Sequence, residues 1–157
     1  MKKFNYILLV LMLVATVGCK QKEWTEWKVQ NEIWLQQNAQ REGVQTTPNG
    51  LQYKILYEGN PTAAKPSSVS SVYVSYTGKL INGVVFDSTT AASLYLPSMI
   101  KGFAEGMTKI HKTGDIELYI PWELGYSSEG RGTEGYSAFI PPYSTLIFRV
   151  HLTDISN

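Results

Sequence analysis

The most constraining feature of the chain is one alternating stretch and the reversal that follows it. Val72, Val74 and Tyr76 alternate with Tyr73 and Ser75, the period of a strand with one buried face. Thr77-Gly78 interrupts the run. Asn82-Gly83 is a strong signal for a two-residue hairpin turn and predicts positive φ at both central residues. Val84-Val85-Phe86 resumes an apolar strand, which Asp87-Ser88 is expected to end. A chain reversed in this way presents Tyr76, Phe86 and Asp87 together. Two aromatic rings and one carboxylate are the wall of a small apolar pocket with a single charged point. Read locally, Phe86 is instead a core residue and Asp87 a turn or cap residue.

The whole chain, at 157 residues, leaves room for one core. A net charge of +1, without a Lys/Arg cluster, offers no field for nucleic acid. The single Cys19 rules out an internal disulfide. It follows Lys2-Lys3 and an apolar run over residues 7–17, too short for a comfortable membrane span of about 20 residues and suited to an export signal. Thr16-Val17-Gly18-Cys19 resembles the cleavage box of bacterial lipoproteins, with Thr16 where leucine is usual. That resemblance implies a signal over residues 1–18, lipidation of Cys19 and anchoring in the bacterial cell envelope, outside the cytoplasm. Several acyl chains anchor durably, each buried CH₂ contributing about 0.8 kcal/mol. An ordinary cleaved signal and an uncleaved anchor are the alternatives.

Residues 19–50 are expected to form an N-terminal helix and linker. Trp27, Trp34 and Ala39 recur at helical spacing over residues 26–42, with Ile33 and Leu35 broadening the stripe. Gly43 stops the helix and residues 46–50 form a turn cluster. So short a helix needs a partner surface: its own domain, a twin from a second copy, or the membrane. Packing on its own domain, and a monomer, is the favoured expectation. Over residues 51–157, strands are expected at 51–57, 72–76, 84–86, 94–96, 116–120 and 145–152. Residues 88–93 and 126–137 read as loops, and residues 99–110 as one helix weakened by Gly102 and Gly106. Several antiparallel-compatible strands around one helix make an α+β domain. His111 and His151 lack ligand spacing, so no metal or other cofactor is expected.

Residues 51–155 resemble the FKBP-type peptidyl-prolyl cis-trans isomerases. Five segments occur in the family's order: Val74-Ser75-Tyr76-Thr77-Gly78-Lys79-Leu80, Gly83-Val84-Val85-Phe86-Asp87-Ser88, Ile100-Lys101-Gly102-Phe103-Ala104-Glu105-Gly106-Met107, Gly114-Asp115 with Leu118 and Ile120-Pro121, and Ile140-Pro141-Pro142 with Thr145-Leu146-Ile147-Phe148. The approach Glu42-Gly43-Val44 and Thr47-Pro48-Asn49-Gly50-Leu51-Gln52-Tyr53 looks like that of exported bacterial members. The resemblance implies a bent antiparallel β-sheet wrapped around one short α-helix, with an N-terminal helical extension here.

It also implies catalytic roles for Tyr76, Phe86, Asp87, Ile100, Phe103 and Tyr126, and substrate contacts from Leu94, Met99, Tyr136, Phe139, Ile140 and Phe148. Phe103 stands where the best-known members carry tryptophan, which implies altered ligand affinity with catalysis retained. The implied activity is rotation about Xaa-Pro bonds in exported proteins, without cofactor or metal. Implied partners are proline-containing unfolded chains, FK506- or rapamycin-type macrolides and the membrane through the lipid anchor. The alternative is an ATP-independent chaperone or peptide-binding module of the same fold, with weak or no isomerase activity.

Overall fold

The computed structural model describes residues 24–156, so the expected signal and Cys19 lie outside the described residues. Helix α1 covers residues 24–38. Strands β1 (Gln45–Thr46), β2 (Gln52–Tyr57), β3 (Ser71–Leu80), β4 (Val85–Tyr95), β5 (Asp115–Ile120) and β6 (Leu146–Ser156) form one sheet, with helix α2 (Lys101–Met107) between β4 and β5. The strand order is β1-β2-β5-β6-β3-β4, and every pairing is antiparallel. The α+β expectation of a bent sheet around a short helix is met.

The inward face follows the two-residue period. Leu146, Phe148, Val150 and Leu152 share one face of β6, and Ile116, Leu118 and Ile120 share one face of β5; of the residues between them Ile147 and Tyr119 are also buried, and the others are exposed or half-buried. Burying one such side chain contributes about 1.5–3 kcal/mol. Helix α2 lies against β5 with Phe103 and Met107 buried. Its two glycines have a packing cause: a Cβ on Gly102 would collide with Ile120, and one on Gly106 with Leu118. The helix is shorter than the expected 99–110. Residues 96–98 form a separate 3-10 turn, Ile100 caps α2 in an extended conformation, and Thr108 closes it with Oγ1 donating to the Glu105 carbonyl at 2.8 Å.

Helix α1 lies on its own domain. Its sheet-facing positions are Trp27, Asn31, Trp34 and Asn38, at helical spacing, whereas Ile33 is exposed. Asn31 is fully buried; its Oδ1 accepts from the Thr145 N–H at 2.7 Å. Asn38 donates to Gln52 Oε1 at 2.9 Å, and Gln52 donates to the Leu35 carbonyl at 3.0 Å. Trp34 packs 5.8 Å from the ring of Tyr119, on the face of β5 opposite α2. The helix ends at residue 38 because the chain turns there, so residues 39–42 are not helical as expected.

Two features of the β3–β4 hairpin differ from expectation. Gly83 has φ of 86°, but Asn82 is not in the positive-φ region. Gly83 N–H donates to the Leu80 carbonyl and Leu80 N–H to the Val84 carbonyl, so the loop has three residues with glycine in the left-handed place. Asn82 contributes through its side chain, accepting from the Val84 N–H at 3.1 Å. The other difference is that β4 runs through residues 88–93, since its backbone pairs with β3 from Lys79 back to Ser71. Small polar side chains there suit an exposed strand as well as a loop.

Candidate active site

Register carries the site. Gly78 on β3 is paired with Phe148 on β6 and with Asp87 on β4. Between Gly78 and Lys79 the pairing shifts from Asp87 to Val85, leaving Phe86 as the extra residue of a bulge. The bulge lets Phe86 turn inward next to an outward Asp87. Gly78 makes room for it: a Cβ there would come within 2.8 Å of the Phe86 and Phe148 rings.

Phe148 is the hub of an edge-to-face cluster, with ring centroids 5.5 Å from Phe86, 5.3 Å from Phe103 and 5.8 Å from Tyr76. Such pairs add about 0.5–1.5 kcal/mol beyond burial. The three phenyl rings are almost wholly buried, so they serve as core and as cleft floor together. Above them opens a cleft of about 410 Å³, lined by Tyr76, Phe86, Asp87, Leu94, Ser98, Met99, Ile100, Phe103, Tyr126, Arg131 and Phe148.

Polar groups stand at its walls. The Tyr76 hydroxyl donates to Asp87 Oδ2 at 2.8 Å. Burial first, and then the bond to Asp87, push the Tyr76 phenol up to about 12, so it stays protonated across the physiological range. The Ile100 N–H has no acceptor among the described residues. It lies at the entry to α2, beside the floor. Tyr126 presents its hydroxyl from the loop after β5, where Arg131 Nη1 donates to it at 2.7 Å. Among the described residues no group of three or more His, Cys, Asp or Glu side chains converges as a metal site would require.

Nine of the twelve residues expected at the pocket line this cleft; the other three, all from the loop before β6, go elsewhere. Ile140 is buried beneath it in the core. Phe139 turns away to pack 6.1 Å from Trp24 of α1, and Tyr136 projects into solvent at 74% exposure. Loop side chains follow whichever neighbour is near, and α1 offers Phe139 an aromatic one. Arg131 and Ser98 belong to the cleft and were missed. The only sequence signal for Arg131 was its position within a glycine-rich loop five residues after Tyr126.

With that geometry in view, comparison with known proteins is specific. Residues 62–153 match the family described as FKBP-type peptidyl-prolyl cis-trans isomerase, and residues 14–55 match the domain amino-terminal to it. The chain belongs to the FKBP-type peptidyl-prolyl cis-trans isomerase family. It is 41% identical over 126 residues to the FKBP-type 22 kDa peptidyl-prolyl cis-trans isomerase of Escherichia coli, covering 78% of this chain and 58% of that one. It is 35% identical over 138 residues to the outer membrane protein MIP of Legionella longbeachae, covering 85% and 56%. The crystal structure of FkpA from Escherichia coli superposes with a TM-score of 0.76 at 33% identity, covering 87% of this chain and 64% of that one. The chain thus spans about half the length of the curated relatives it matches.

Proposed function

We propose that this protein is a peptidyl-prolyl cis-trans isomerase that rotates Xaa-Pro bonds in exported polypeptides. The observation that carries the reading is the floor of Phe86, Phe103 and Phe148 beneath a cleft whose walls hold Tyr126, Ile100 and the Tyr76–Asp87 pair. Amide resonance sets a barrier of roughly 20 kcal/mol and makes the uncatalysed rotation take tens of seconds or longer. Rotation breaks no covalent bond, so the task is differential binding. A planar amide is polar and well hydrated; the twisted amide has lost resonance and carries less charge on oxygen. A pyrrolidine ring seated on the phenyl floor leaves water behind, which favours the twisted form.

The Ile100 N–H and the Tyr126 hydroxyl then align the carbonyls flanking the ring, Tyr126 taking that of the residue before proline. Each such bond contributes about 1 kcal/mol net, more in a dry site. Asp87 holds Tyr76 and polarises the wall; no proton transfer is assigned to it. Met99 and Leu94 close the apolar sides. The substrates are proline-containing unfolded or partly folded chains, and FK506- or rapamycin-type macrolides would compete for the same floor. Two-dimensional exchange NMR on a proline tetrapeptide tests the reading. Cis-trans exchange should accelerate at micromolar protein, and Asp87→Ala and Phe86→Ala should each slow it roughly tenfold, a 1.4 kcal/mol loss. Exchange rates that do not respond to the wild-type protein would sink it.

A peptide-binding or chaperone role is supported by a second groove. Trp24, Trp27, Phe139 and Pro141 line a cleft of about 350 Å³ between α1 and the loop before β6. Suppression of client aggregation that survives Asp87→Ala would favour this role over catalysis.

Export and a lipid anchor at Cys19 complete the proposal. They are supported by the basic, apolar and cysteine pattern and by the name of the Legionella relative. A free Cys19 thiol in mature protein would remove the anchor.

A further inference from the structure

Within the cleft, Arg131 is a cation without an ion-pair partner among the described residues. Its guanidinium donates to the Tyr126 hydroxyl at 2.7 Å and stands 5.3 Å from the centre of that ring. The other charged side chain lining the cleft, Asp87, is engaged by the Tyr76 hydroxyl and lies outside ion-pair distance of Arg131.

The Arg131 backbone is also held. Its N–H donates to the Ile140 carbonyl and its carbonyl accepts from the Ile140 N–H, both at 2.8 Å, and Ile140 is anchored in the core. Gly130, at φ of 68°, permits that bridge, since a Cβ there would strike the Ile140 carbonyl. So Arg131, though its side chain is exposed, stands on a segment of the long loop whose backbone is pinned to the core.

We propose that Arg131 is a specificity-determining residue that selects substrates with an acidic side chain immediately before proline. This rests on the isomerase reading above, in which the Tyr126 hydroxyl donates to the carbonyl of that residue. A donor on that carbonyl places the cation beside the side chain of the same residue. Arg131 has a second effect. By donating to the phenol oxygen it leaves the phenol hydrogen for the substrate and polarises it, making Tyr126 a stronger donor. The first effect depends on substrate charge and the second does not.

The test is exchange NMR on the full chain with four blocked tetrapeptides that differ only before proline, carrying Glu, Gln, Lys or Leu. Because Arg131 is exposed, the preference of wild type for Glu over Gln should be about threefold at low salt, the range of exposed charge pairs. It should approach unity in about 1 M salt, where screening acts over ~3 Å. Arg131→Gln should abolish the ratio, and Arg131→Glu should transfer the preference to the Lys peptide, a reversal that a merely structural role would not produce. Equal rates on Glu and Gln with the Leu peptide catalysed would overturn the selection and leave the isomerase reading standing. A preference that persists in Arg131→Gln would overturn the assignment to Arg131. Catalysis of none of the four would overturn both.

Discussion

The floor of the cleft and the loop that borders it reach their positions in opposite ways. Phe86, Phe103 and Phe148 come from β4, α2 and β6, and they meet ring to ring. Tyr136, Phe139 and Ile140 are neighbours in one loop, and they part: one to solvent, one to α1, one to the core. Distance along the chain is a poor guide in both cases. Ladder hydrogen bonds lock β6 to β3 residue by residue, so Phe148 has no choice but to sit beside Gly78. The loop has a single bridge, between Arg131 and Ile140, and no continuous ladder, so side chains such as Tyr136 and Phe139 take the surface within reach.

That contrast can be broken first at its strongest point. Phe148→Ala removes the hub of the ring cluster at a buried site and should cost about 3–5 kcal/mol of stability. Chemical denaturation measures it, and a loss below about 1 kcal/mol would mean the cluster does not hold the floor.

An intermediate effect should come from Tyr76, which bridges the floor to the wall. Its phenol has an ordinary value of 10.0 and is raised to about 12 in the folded protein. Between those values the folded state binds more protons than the unfolded one, so stability falls as pH rises. The contribution is complete below pH 10 and is lost as pH passes 12. Tyr119 is raised as well, by burial and then by its bond to Glu117, and contributes in the same direction. Tyr76→Phe should therefore flatten the alkaline melting profile in part only. An unchanged slope in that variant would show that the Tyr76 phenol does not titrate differently in the folded and unfolded states.

The smallest effect belongs to the loop. Tyr136→Ala should change stability by less than about 0.5 kcal/mol and leave tetrapeptide exchange rates at wild-type values. A marked fall in exchange rate would show that Tyr136 reaches the substrate after all.

How much of this could be read beforehand varied with the kind of interaction. The alternation on β5 and β6 identifies the faces that meet α2 and the cleft floor, because side chains on a strand point to opposite faces in turn, although Tyr119 and Ile147 on the other face are buried as well. The apolar stripe of α1 was misread at Ile33, which is exposed, while the buried face includes Asn31 and Asn38. Hydropathy does not register an amide that is buried because the backbone N–H just before β6 or a glutamine across the interface needs a partner. Asn82-Gly83 correctly marked a reversal, yet the loop type depended on how β3 and β4 closed around it. The bulge at Phe86 had no local signature, since it is a relation between two strands.

Family segments and strand periodicity together were enough to specify an antiparallel sheet around a helix and nine of the residues that line its cleft, because both are written in local residue types. Which aromatic left the cleft for α1, which arginine entered it, and how far β4 extended were settled by contacts between segments distant in sequence. Those outcomes depend on which surface lies nearest once the sheet has closed, and no window along the chain contains that distance.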